Sequence, residues 1–269
     1  MSKKITVFKI NIPYDFIRNE ALENRAGILM AYCWIKRNGT IDGKIHSDLS
    51  NILNDLGLTY YPDKKKEYPK QLLNVIRGID YLCGKGYLIL SDGDYHFFNN
   101  KFKMHLDSNY FNENKYVSLD YADFDFIMNY EGRHNKSAML FTLLWVKTNF
   151  IQEKNGENLI SYTACSYKCE RMAQYMGMKK ASVYKYLKNL SCELGIDSNK
   201  PLCNCKRYAI RVNNSPIAFP CIYVENNEKA GKIIEIKKNQ IRKKFGDYYK
   251  IPEFDIEDIE LDRELDELF

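Results

Sequence analysis

The stretch R171-M-A-Q-Y-M-G-M-K-K-A-S-V-Y-K-Y-L-K-N-L190 decides how the rest of the chain is read. Apolar residues step through it at helical spacing on both sides of one glycine, Gly177. Glycine supplies the left-handed residue on which a helix ends and the chain turns sharply. Beyond the turn, Val183, Leu187, Leu190 and Leu194 make one apolar stripe. Lys179, Lys180, Ser182, Tyr184, Lys185 and Lys188 lie off that stripe. The stretch reads as two short helices joined by a tight bend, the second apolar on one face and basic on the other.

A similar arrangement occurs earlier in the chain. N51-I-L-N-D-L-G-L58 matches R171-M-A-Q-Y-M-G-M178, and L72-L-N-V-I-R-G-I79 matches V183-Y-K-Y-L-K-N-L190, 111 residues on. Further upstream, A26-G-I-L-M-A-Y-C-W-I-K-R-N38 matches S137-A-M-L-F-T-L-L-W-V-K-T-N149, which puts Trp34 and Trp145 in one frame, also 111 apart. Asp15-Phe16-Ile17 recurs as Asp125-Phe126-Ile127. Each match is weak alone. Their common order reads as an internal duplication of a module of roughly 110 residues, far longer than a solenoid repeat.

Both copies share a layout. An extended opening (5–12 and 115–119) leads to a helix around the tryptophan, whose apolar residues in the first copy are Ile28, Leu29, Tyr32 and Ile35. A second helix ends at Gly57 or Gly177. The third helix of the first copy has the stripe Leu72, Ile76, Ile79 and Leu82, and Pro69 stands where a helix can begin. Strand pairs follow: 86–90 with 95–98 across S91-D-G-D94, and 207–212 with 217–219 across N213-N-S-P216. Asparagine-rich residues 99–114 read as a linker. The expected fold is α+β, mainly α. It comprises a first domain at 1–98, the linker at 99–114, a second domain at 115–227 and a charged extension at 228–269.

Helix, helix, glycine turn, helix and hairpin resembles the winged helix-turn-helix superfamily, here in two copies. Met172 to Leu190 carries the resemblance: an apolar residue, glycine and another apolar residue precede a polar pair, then a small residue, Ser, Val and L-x-x-L. The first copy departs from the pattern by inserting T59-Y-Y-P-D-K-K-K-E67 before its third helix. In architecture the chain is similar to the two-winged-helix replication initiators of plasmids and phages. The resemblance implies that each third helix enters a DNA major groove. The second copy would present Lys179, Lys180, Ser182, Tyr184, Lys185 and Lys188 to the duplex. The first would present Gln71, Asn74 and Arg77 beside Lys64, Lys65 and Lys66. Lysines meet phosphates, whereas Gln71 and Asn74 have the chemistry to read adenine edges. Two unlike modules on one chain would bind adjacent, non-identical half-sites. The reading is sequence-specific binding of double-stranded DNA, with replication initiation as the role. A transcriptional regulator and a protein-binding inhibitor from a mobile element are the alternatives.

Charge agrees with an anionic partner. The net charge of +5 conceals an acidic end: residues 253–269 hold nine acids and one arginine, leaving 39 basic and 26 acidic residues elsewhere, a net of +13. Residues 229–250 carry eight Lys or Arg against two acids. In the tail, Phe254, Ile256, Ile259, Leu261, Leu265, Leu268 and Phe269 alternate with carboxylates, a pattern suited to folding back on the body or to docking on a protein partner.

Enzyme chemistry finds little footing. G78-I-D-Y-L-C-G-K-G86 has one residue too many for a phosphate loop and lacks its Ser or Thr. The four histidines are scattered, with no His-x-His pair. Asp120, Asp123 and Asp125 read as helix-start residues before they read as metal ligands. Cys165, Cys169, Cys203 and Cys205 have poor zinc spacing, and the eight cysteines are expected as free thiols. No cofactor is expected. The start M1-S-K-K-I-T-V-F has no apolar leader and no run of 18 apolar residues occurs, so a cytoplasmic protein without membrane contact is expected.

Overall fold

A computed structural model describes residues 9–40, 42–60, 68–98, 100–107, 116–130, 135–148, 152–155, 158–161, 164–167, 169–190, 204–206, 209–212, 215–218 and 221–224. The fold is α+β with helix predominating. Two compact units are present, Met1–Thr148 and Asn149–Phe269. Among the described residues no helix is long and apolar enough to cross a membrane.

The described part of the first unit opens with strand β1 (Lys9–Pro13), which runs straight into the short helix α1 (Tyr14–Arg18). Strand β5 (Tyr116–Asp120) does the same with helix α5 (Tyr121–Met128). The two strands pair antiparallel, Lys9 opposite Asp120 and Pro13 opposite Tyr116. At the centre of the ladder Ser118 Oγ donates to Asn11 Oδ1 at 3.0 Å. One face of the ribbon is apolar: Ile10, Ile12, Val117 and Leu119 are buried. Beneath it pack the two tryptophan helices, α2 (Arg25–Asn38) and α6 (Lys136–Thr148), which also pack on each other. Both are apolar almost all round, as central helices are, and Trp34 and Trp145 are both buried.

The same cationic device closes each short helix. Arg25 Nη1, at the start of α2, donates to the Ile17 carbonyl at the end of α1, 3.1 Å away. Lys136, at the start of α6, donates to the Met128 carbonyl at the end of α5. Lys136 Nζ also reaches the carbonyl of Asp55 at 3.0 Å. Lys136 is only 6% exposed, and burial lowers its pKa against a smaller opposing effect of Asp55. Helix C-termini carry orphan carbonyls, and one buried cation answers two of them. Arg37 adds a bidentate pair to Asp125, both contacts at 2.8 Å.

From α2 the chain runs through strand β2 (Lys44–Asp48), helix α3 (Leu49–Asp55), helix α4 (Lys70–Gly84), strand β3 (Leu88–Gly93) and strand β4 (Lys101–Leu106). The sheet order is β2-β4-β3, all antiparallel. This corrects two expectations. Residues 101–106 are the central strand of that sheet, not linker, because Phe102, Met104 and Leu106 alternate inward and are buried. The partner of β3 is therefore β4, and Tyr95 is a buried residue of the turn between them. A bulge lies between Leu90 and Asp92, and beyond it Gly93 has φ 79°, where a Cβ would sit 2.0 Å from the Lys101 carbonyl oxygen.

In the second unit, strands β6 (Gln152–Asn155) and β7 (Asn158–Ser161) form a hairpin. Strand β8 (Ala164–Tyr167) leads into helices α7 (Cys169–Met176) and α8 (Lys180–Leu190). Strands β9 (Asn204–Lys206), β10 (Ala209–Val212), β11 (Ser215–Ala218) and β12 (Cys221–Val224) follow. The sheet order β8-β12-β9 has the same form as β2-β4-β3. A hairpin is present near the expected place as β10–β11, but Ser215 and Pro216 belong to its second strand, opposite Val212 and Arg211, and not to the turn; it is inserted between β9 and β12.

Candidate nucleic-acid interface

The bends that open the sequence reading are the same motif. At the end of α3, Gly57 has φ 66°; its N–H donates to the Asn54 carbonyl (2.8 Å) and Leu58 N–H donates to the Leu53 carbonyl (3.0 Å). At the end of α7, Gly177 has φ 64°; its N–H donates to Gln174 (3.2 Å) and Met178 N–H donates to Ala173 (2.9 Å). This pairing is the Schellman cap, which needs a left-handed residue and sends the chain off at a fixed angle. Asp48 begins α3, its side chain accepting from Asn51 N–H at 3.0 Å.

In the second unit the cap aims α8. Val183, Leu187 and Leu190 are buried as the stripe requires. Lys179, Lys180 and Lys185 are exposed, and Ser182 and Tyr184 are half-buried. The exposed side is a row of flexible cations and a hydroxyl, fit for phosphate oxygens. The Lys188 side chain lies outside the described residues, as does Leu194.

In the first unit α4 buries Leu72, Val75, Ile76, Ile79 and Leu82. It approaches α2 so closely that a Cβ on Gly78 would lie 2.5 Å from the Gly27 carbonyl oxygen, and one on Gly27 would lie 2.1 Å from that of Asn74. Asn24, itself left-handed at φ 55°, donates from Nδ2 to the same Asn74 oxygen at 2.7 Å. This contact sets the roll of α4 about its axis. Lys70, Arg77 and Asp80 point outward, exposed. Gln71 and Asn74 are half-buried, and the Gln71 Oε1 atom is buried with no hydrogen-bond partner among the described residues. Lys70 is the outward residue that sequence reasoning missed; its place directly after Pro69, at the first helical position, was the available signal. Lys64, Lys65 and Lys66 lie outside the described residues. The segment holding them is flanked by aromatic residues that cluster: Tyr60 lies 5.0 Å from Tyr68 and 5.1 Å from Phe98, ring centre to ring centre.

The turn between β3 and β4 carries its own polar cluster. Tyr95 Oη donates to Asp80 Oδ1 at 2.9 Å. His96 Nε2 lies 3.0 Å from the same oxygen, and its Nδ1 lies 2.8 Å from Asp94 Oδ1. Burial works to lower the His96 pKa, but the two carboxylate hydrogen bonds outweigh it and the net shift is upward. Tyr95 stacks on the imidazole with centroids 4.3 Å apart.

No metal-binding group of three or more His, Cys, Asp or Glu occurs among the described residues. Cys33, Cys83 and Cys169 are free thiols, and burial drives that of Cys33 well above its ordinary pKa. Comparison with known protein families, with characterised proteins and with solved structures gives no match.

Proposed function

We propose that the chain binds double-stranded DNA in a sequence-specific way through two winged helix-turn-helix modules, derived by duplication, and that it initiates replication of a plasmid or phage from the cytoplasm. One observation carries the reading. A Schellman-capped helix, a left-handed glycine and an outward-facing helix with exposed cations occur twice, each beside a sheet of the same strand order. Such a turn holds a helix clear of the body at an angle that suits a major groove. The outward cations are Lys70 and Arg77 on α4, and Lys180 and Lys185 on α8 with Lys179 just before it. The body charge of +13 outside residues 253–269 supports an anionic partner. The chemistry is recognition without catalysis.

A second reading, docking on another protein, has an observation of its own. Ile89, Leu90 and Phe97 are 41%, 39% and 61% exposed on β3 and the turn after it. Fluorescence anisotropy with a random duplex of about 30 base pairs, at several salt concentrations, separates the two. DNA binding is expected at low salt, with affinity falling linearly in log–log form as salt rises. A protein that ignores duplex at the lowest salt is a protein-docking module. For the role, a duplex carrying direct repeats from beside the coding gene should bind more tightly than random sequence. A divergent promoter as the preferred site would instead make it a regulator.

A further inference from the structure

Arg77 and Asp80 stand three residues apart on the outward side of α4, the spacing at which opposite charges on a helix pair with each other. They do not pair. Asp80 is occupied by Tyr95 Oη (2.9 Å) and His96 Nε2 (3.0 Å), both from the turn between β3 and β4. Asp94, in the same turn, holds the other imidazole nitrogen at 2.8 Å. Arg77 is exposed and makes no ion pair among the described residues. Charge placement makes this matter. A carboxylate beside a cation meant for a phosphate does harm twice, by repelling the phosphate and by competing for the cation.

We propose that Tyr95 and His96 are positioning residues that draw Asp80 away from Arg77 and so leave the guanidinium for a DNA phosphate. This rests on the DNA-binding reading above. The imidazole, when protonated, also offsets the charge of the two carboxylates that flank it. The turn thus contributes to the helix face without touching the duplex. It is acidic itself, with Asp92 and Asp94, and is a poor phosphate ligand.

The test uses the full chain and the random duplex. Tyr95→Phe combined with His96→Asn keeps the aromatic ring and a polar side chain while freeing Asp80. Affinity at about 0.1 M salt should fall about threefold, and the salt slope should drop by about one, as for Arg77→Ala. Adding Asp80→Asn should restore affinity in that background by more than it raises the wild type. A merely structural clamp would not show that rescue. Wild-type affinity in the double variant, with folding verified by circular dichroism, overturns the proposal, and so does a failed rescue. A measurement without DNA keeps this failure distinct from failure of the DNA reading. In urea unfolding, Arg77→Ala and Asp80→Asn should be additive in the wild type and coupled in the double variant. Additivity in both backgrounds refutes the release of Asp80 toward Arg77 whatever the partner.

Discussion

Gly78→Ala sets two ordinary rules against each other. Alanine is the better helix former, by about 1 kcal/mol in a helix interior, so propensity says that the variant gains stability. Sterics say otherwise. The new methyl would sit 2.5 Å, 2.6 Å and 2.8 Å from Gly27 O, Gly27 C and Ile28 N, all backbone atoms of α2. Backbone in a buried helix has no rotamer to change, so α2 and α4 must separate by about 1 Å and loosen the dispersion contacts along their length. Overpacking of this kind costs about 1–3 kcal/mol locally, and the loss along the interface adds to it. After the propensity gain is subtracted, the variant should be less stable by about 3 kcal/mol, a fall in Tm of about 6–12 °C for a unit of this size. Gly84, in the last position of the same helix, is the matched control: nothing lies within 4 Å of its added Cβ. Gly84→Ala should be neutral or stabilising by up to about 1 kcal/mol. Urea unfolding followed by the fluorescence of Trp34 and Trp145, both buried in the first unit, reports each variant. A Gly78→Ala protein as stable as wild type would show that the close crossing of α2 and α4 is wrong, and with it the roll that turns Arg77 outward.

Other outcomes follow from the same structure. Lys180→Ala with Lys185→Ala should leave the fold intact, weaken duplex binding by about 1–3 kcal/mol in total and lower the salt slope by about two; unchanged affinity would remove α8 from the interface. Trp145→Ala should cost about 3–5 kcal/mol as a cavity in the shared core of α2 and α6, and a loss under about 1 kcal/mol would contradict its burial. His96 has a raised pKa in the folded state, so its stabilising effect is full below the unfolded value of about 6.5 and fades as pH rises through the raised one. The effect should stay under about 1 kcal/mol because the side chain is 51% exposed. The stability difference between wild type and His96→Asn, measured in urea at mildly acidic and mildly alkaline pH, should narrow at the higher pH; a constant difference would count against the pairing.

Much of the local structure was legible because it rests on period and punctuation. The stripe on α4, the stripe on α8 as far as Leu190 and the glycines at 57 and 177 are short-range signals, and these appear where the spacing puts them. What escaped is long-range. Strand β2 is five residues long, and one of its two buried positions is Ser47, so its alternation is faint. Strand β4 has a clear alternation, but it stands among asparagines that favour a linker reading. The outward face of α4 is fixed by a glycine-on-glycine crossing with a helix some 50 residues earlier, and without it Gln71 and Asn74 look as available as Arg77. Lys136 was invisible for the opposite reason. Lysine is almost never fully buried, and only the two carbonyls that meet it explain why this one is.

The ladder between β1 and β5 bears on how this chain can be taken apart. A fragment ending at residue 98 loses β4, the middle strand of its sheet, and leaves β1 with an unpaired edge. One ending at residue 107 regains the sheet but still lacks α6, against which α2 lies. The natural cut falls after Thr148, late enough to keep both tryptophan helices. A backbone break placed between β4 and β5 would leave two pieces that hold each other by five ladder positions, a bidentate Arg37–Asp125 pair and a common apolar interior. Halves joined in that way are raw material for fragment complementation: each supplies the surface on which the other folds.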